Sequence, residues 1–100
     1  MLKITVEENA ELVTLRLEGK IVGPWVAELG KTWRTLAPSL DSKKLLLDLR
    51  ETTQMDAEGQ HLLTEIYSQT GAEFQTNSLL IRFYSEKAME ESLKRAQKGA

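Results

Sequence analysis

Lys44-Leu45-Leu46-Leu47-Asp48-Leu49, then Arg50 to Gln54, then Met55-Asp56-Ala57-Glu58-Gly59: this passage lays out an apolar run, a polar link and a helix start in succession. Its first part is a short apolar run with polar flanks. That length suits a strand over 44–49 buried on both faces, as at the centre of a parallel or mixed sheet. Arg50 to Gln54 is polar and reads as a loop. Asp56 then suits a helix N-cap, because its carboxylate accepts from the free N–H groups of the first turn. Gly59 is the third position after it. Leu62, Leu63, Ile66 and Tyr67 follow at helical spacing and predict a helix over 57–70, which Gly71 ends as a left-handed cap. A buried strand feeding an Asp-capped helix is half of a parallel crossover. The loop of such a unit lies at the C-terminal edge of the sheet, where open α/β sheets expose their functional surfaces.

Upstream, residues 2–6 and 11–17 read as strands. Leu12, Val13, Leu15 and Leu17 surround Thr14 and Arg16 in near alternation. Glu8-Asn9-Ala10 is a short turn in which Asn9 suits a left-handed backbone, so the two strands form a hairpin. Gly19 ends the second arm, and Lys20-Ile21-Val22 reads as a short third strand. Gly23-Pro24 opens a helix over about 24–37, proline being tolerated at the first helical position. Val26, Leu29, Trp33, Leu36 and Ala37 are its apolar face. Pro38 is expected to stop it, and Ser39 to Lys43 is a polar loop.

Downstream, Ala72 to Gln75 is a short strand. Asn77 or Ser78 then caps a helix to about residue 97, with Leu80, Phe83, Tyr84, Ala88 and Leu93 inside. The alternative is a strand over Leu79 to Tyr84 followed by a shorter helix capped by Ser85; the single helix is preferred. The order β-β-(β)-α-β-α-β-α predicts an α/β fold, one domain over 1–100. Its mixed sheet combines an N-terminal hairpin with parallel strands, and its helices pack mainly on one face.

A chain of 100 residues supports one core. Apolar residues at 41% and charged residues at 28% fit a globular rather than a disordered chain. No apolar run exceeds Leu45-Leu46-Leu47, so no membrane insertion is expected. The N-terminus lacks the apolar core of a signal peptide. Cysteine is absent, which excludes disulfides, thiol catalysis and thiolate metal sites. Together these favour a cytoplasmic location. The net charge is −2 and basic residues are interleaved with acids, even in the densest stretch, Lys87 to Lys98, so no nucleic acid is expected as a partner. Glu90–Lys94 and Glu91–Arg95 are spaced as helix-supporting pairs.

Catalytic signatures are missing. His61 is the single histidine and reads as a surface or boundary residue of the second helix. No G-x-S-x-G accompanies it, and a nucleophile needs an oriented base. One histidine without cysteine is a poor zinc set. Neither a calcium loop nor a glycine-rich phosphate loop is present. No enzyme activity, metal or cofactor is expected. Trp33 reads as core. Trp25, at the helix start, is open between core packing and a partly exposed binding anchor.

Leu15-Arg16-Leu17-Glu18-Gly19, Leu45-Leu46-Leu47-Asp48-Leu49 and Met55-Asp56-Ala57-Glu58-Gly59, in this order and spacing, resemble the STAS domain family, named for sulfate transporters and anti-sigma-factor antagonists. The resemblance spans about residues 2 to 76. In the antagonist branch the D-x-x-G loop usually reads Asp-Ser-Ser-Gly or Asp-Ser-Thr-Gly. A partner kinase that is also the anti-sigma factor phosphorylates the hydroxyl residue before the glycine. Here that position is Glu58, preceded by Ala57, and neither accepts phosphate. The resemblance therefore implies an interaction module without the phospho-switch, with Asp56 and Gly59 of the loop retained. Glu58 puts a carboxylate in a helix first turn, where the dipole stabilises it by about 0.3–1 kcal/mol. Phosphoserine would put a larger negative charge in the same place. Glu58 is thus either a fixed phosphate mimic or a plain first-turn acid.

The expected function is a stand-alone STAS-like regulatory module that binds another protein through Thr53, Asp56, Ala57, Glu58, Gly59 and Trp25. The expected partner is an anti-sigma factor, a kinase-like protein or a transporter subunit. The alternatives are a cytoplasmic accessory subunit of a lipid or anion transporter, or a nucleotide- or lipid-sensing domain.

Overall fold

The sheet is organised around β2 (Leu12–Ile21). Val13, Leu15 and Leu17 point to one face and are fully buried, while Thr14, Arg16 and Glu18 stand half-buried on the other. The computed structural model describes residues 1–98, with side-chain surroundings through residue 96. Along one edge of β2 runs β1 (Leu2–Glu8), antiparallel, from Leu2 opposite Gly19 to Glu8 opposite Val13. Along its other edge run two parallel strands in succession. β3 (Lys44–Asp48) pairs with Leu12–Arg16, and β4 (Thr52–Met55) with Gly19–Ile21. β5 (Glu73–Gln75) lies parallel beyond β3. The α/β class, the hairpin and the mixed sheet are as expected.

Two crossovers move the same way across the sheet. α1 (Pro24–Leu40) joins β2 to β3, and α2 (Ala57–Thr70) joins β4 to β5. Right-handed crossovers in one direction put both helices on one face. α3 (Leu79–Lys98) packs on α2 and adds Ile81 and Ala88 to the core. Leu15, Leu17, Leu47, Leu29, Trp33, Leu63 and Ile66 form the centre of that core. Among the described residues no helix is long and apolar enough to cross a membrane.

Among the described residues the other sheet face has no helix layer and is largely polar, Leu46 excepted, and its one deeply buried charge is clamped. Asp48, opposite Arg16 in the register, accepts from Arg50 Nε (3.0 Å) and Nη2 (2.9 Å) and from Arg16 Nε (3.2 Å). Arg16 also reaches Glu7 at 2.7 Å. The hydrogen bonds from Arg50, then the one from Arg16, hold the Asp48 carboxyl well below the usual carboxylate range despite its burial.

Several expectations need correction. Arg50 to Gln54 is not all loop. Thr52 to Met55 form β4, held by the β2 backbone and by Thr52 Oγ1, which donates to the Leu17 carbonyl at 2.7 Å. The central strand stops at Asp48, and Leu46 faces the open side half-buried instead of being enclosed on both faces. Gly19 does not end a strand. It sits at φ +112 within β2, where the β4 register shifts, so Lys20 and Ile21 continue β2 and no separate third strand exists at 20–22. A side chain at Gly19 would meet the Met1 carbonyl at 2.3 Å, which explains the glycine.

The first two strands also outrun their expected ends. Asn9 does not turn left-handed; its Oδ1 accepts from Glu11 N (2.9 Å) and Leu12 N (2.8 Å), an Asx turn. Pro38 does not stop α1, which carries it in its last turn and runs on to bury Leu40. α3 is a single helix, as expected, with no strand over Leu79 to Tyr84, and Ser78 Oγ accepts from Ile81 N at 3.4 Å. Its inward side differs: Ile81, Ser85 and Ala88 are buried, Tyr84 is half-buried, and Leu80, Phe83 and Leu93 are exposed. Glu90–Lys94 pairs at 3.6 Å as spaced.

Candidate functional site

β2 and β4 end side by side, Ile21 opposite Met55. The chain leaves each of them into a helix, so α1 and α2 begin at the same end of the sheet. α1 enters through Gly23, at φ 54 and ψ −132. That is a backbone state open to glycine and strained for other residues. Pro24 then sits in the first turn, and Val26 N donates to the Gly23 carbonyl at 3.1 Å.

One carboxylate joins the two starts. Asp56 Oδ1 accepts from Gly59 N at 2.8 Å, the expected cap of α2. Its Oδ2 accepts from Gly23 N, also at 2.8 Å, at the cap of α1. Asp56 N donates to the Ile21 carbonyl, tying the same residue to β2. The Gly23 and Gly59 N–H groups stabilise the ionised form and lower the Asp56 pKa. Gly59 is the second joint. A Cβ there would lie 2.6 Å from the Ile21 carbonyl oxygen and 2.9 Å from its Cγ2. Its absence lets the first turn of α2 seat on the end of β2.

The expected site residues therefore separate into two kinds. Asp56 and Gly59 are the joint itself, half-buried and buried. Thr53, Ala57 and Glu58 are exposed around it, Thr53 Oγ1 donating to the Gly19 carbonyl at 3.2 Å. Trp25 is half-buried and packs against the core. Within residues 50–59, contacts with β2 bury Thr52, Met55 and Gly59.

Glu58 has a further setting that the sequence reading missed. It lines an open groove of about 390 Å³ between α1 and α2. α1 contributes Val26, Ala27, Gly30 and Arg34; α2 contributes Glu58, His61, Leu62 and Glu65; Arg95 enters from α3. Arg95 thus turns to this groove. The small residues Ala27 and Gly30, one turn apart, give the groove its depth, and that spacing was the available signal. Glu58, His61 and Glu65 follow at three- and four-residue steps along one stripe of α2. Acids on α2 face Arg34 and Arg95, so the groove offers both signs of charge around an apolar floor. No protein-family model matches this chain, and no curated protein matches it.

Proposed function

We propose that this chain is a small cytoplasmic STAS-like regulatory module that binds another protein at the α1–α2 groove and the exposed first turn of α2, and that it is neither an enzyme nor phospho-switched. The observation that carries this reading is the Asp56 bridge. By bonding the first turns of both helices it holds the groove walls at a fixed spacing, and a preorganised surface loses less entropy on binding. Glu58 supplies a permanent charge at the rim, and Ala57, Glu58 and Gly59 carry no hydroxyl for a kinase. An anti-sigma factor, a kinase-like protein and a transporter subunit are the partner classes consistent with the family resemblance.

Capture from the native cell, with a photo-crosslinker at His61, tests the proposal and identifies the partner class by mass spectrometry. Glu58→Ser is expected to weaken capture while changing stability by less than about 0.5 kcal/mol, as for an exposed substitution. Ala27→Trp, which fills the groove, is expected to abolish capture. Glu18→Ala, on the open sheet face, is expected to leave it unchanged. If both groove variants capture the same partner as the unaltered chain, the docking surface is elsewhere.

A further inference from the structure

β1 is an edge strand, and the outer side of its backbone is unpaired among the described residues. Which groups face outward follows from the ladder. Lys20 N donates to the Met1 carbonyl and Asn9 N to the Leu12 carbonyl, so the odd-numbered residues of β1 bond to β2. In an antiparallel ladder the alternate residues then point the other way. The N–H and C=O groups of Leu2, Ile4, Val6 and Glu8 are therefore directed outward. The side chains alternate too: Leu2, Ile4 and Val6 lie on the helix side, Lys3, Thr5 and Glu7 on the open side. Burial falls along the first row, from Leu2 to half-buried Ile4 to Val6, which is 42% exposed. Val6 stands over an apolar notch of about 430 Å³ whose other wall is Leu36 and Thr32 of α1.

We propose that two copies of this chain join edge to edge through β1, antiparallel about a two-fold axis at Thr5. This register pairs all seven residues of β1. Ile4 and Val6 of the second copy meet in hydrogen-bonded pairs that use the outward backbone groups, and each Val6 is covered by an Ile4. Lys3 faces Glu7 of the second copy in a non-hydrogen-bonded pair, where side chains approach most closely, and Glu7, bonded to its own Arg16 through Oε1, has its other carboxylate oxygen to offer. The alternatives are poorer. A one-residue slip turns each apolar row to the polar side. A centre at Val6 pairs only residues 4–8 of β1 and leaves Lys3 without an acid; a centre at Ile4 pairs only residues 2–6 and leaves Glu7 opposite Met1. Charges on an edge strand commonly deter pairing, but here their signs and spacing are complementary to a second copy. The surface shares no residue with the α1–α2 groove.

Sedimentation and oxidative crosslinking test the register. At tens of micromolar the chain is expected to sediment at twice its 11.3 kDa mass. Because the chain has no cysteine, Thr5→Cys introduces a single thiol, and it is expected to form a disulfide-linked dimer, whereas Lys3→Cys is not. Val6→Pro removes an outward N–H without touching the β1–β2 ladder and is expected to weaken dimerisation by about tenfold or more. Lys3→Glu, which keeps the strand backbone intact, is expected to weaken it as well, with an unchanged circular dichroism spectrum. A chain that remains monomeric at its highest soluble concentration overturns the proposal. So does a dimer that Thr5→Cys fails to crosslink or that Lys3→Glu leaves intact.

Discussion

A Gly59→Val variant is expected to lose about 3 kcal/mol of stability, the upper end of the range for overpacking a close contact. The reason is the seat of α2 on β2. The atom that a Cβ would strike at 2.6 Å is the Ile21 carbonyl oxygen, a backbone atom of the sheet that cannot rotate away. That same carbonyl accepts from Asp56 N, so displacing the helix also strains the cap. Gly59→Ala is expected to lose less, since alanine is about 1 kcal/mol better than glycine within a helix and adds only one methyl group. Urea denaturation gives the ranking directly through the midpoint at constant slope. A Gly59→Val midpoint equal to that of the parent chain would mean that α2 is not seated this closely.

Removing the Asp56 carboxylate is the second large effect. Asp56→Ala is expected to cost about 2 kcal/mol, the upper end for an N-cap, because it frees two N–H groups on two helices. Asp56→Asn is expected to fall between, since its one amide oxygen can accept from Gly23 or Gly59 while its NH₂ faces the other donor. The carboxylate also sets a pH dependence. Asp56 and Asp48 both have folded pKa values below their unfolded ones. Their stabilisation is therefore complete above the unfolded value of about 3.9 and is lost as the pH falls through the folded values. Thermal melts from about pH 7 to about pH 2 should show declining stability over that acid range, with a shallower decline in Asp56→Asn. An acid limb unchanged by Asp56→Asn would show that the bridge is not made by the ionised form.

Much of this architecture is readable from local signals. Leu62, Leu63 and Ile66 after Asp56, and Gly71 after them, specify α2 by period and caps, and the structure agrees to the residue at both ends. What escapes is set by distant partners. Thr52 to Met55 carries no alternating apolar pattern, since only Thr52 and Met55 turn inward and a bulge separates them. Its strand depends on an available β2 edge; the paired threonines, which favour strands, were the only local hint. Pro38 follows a sound rule and still lies within a helix, because one more turn buries Leu40. The cap role of Asp56 is local, three residues from Gly59, and was legible. Its bond to Gly23 spans 33 residues and was not. The α1–α2 groove belongs to the same class, being a product of how two helices meet.

The double edge of β2 has a kinetic consequence. Its pairing with β1 closes a tight turn at Asn9, an event of about 1–10 µs for a hairpin. Its pairing with β3 must wait for α1 to form and fold back, and its last residues wait longer, for Thr52–Met55. Closing that long segment is expected to set the slow step, as non-local pairing does in general. Val26→Ala in α1 is therefore expected to slow refolding, and Ala88→Gly in α3 chiefly to hasten unfolding; stopped-flow chevrons separate the two, and equal effects on both limbs would contradict this order. During synthesis both arms of the hairpin are made before their neighbour β3. Over that interval one side of β2 is an unguarded template, and the speed with which α1 delivers Lys44–Asp48 decides whether this chain or another one pairs with it.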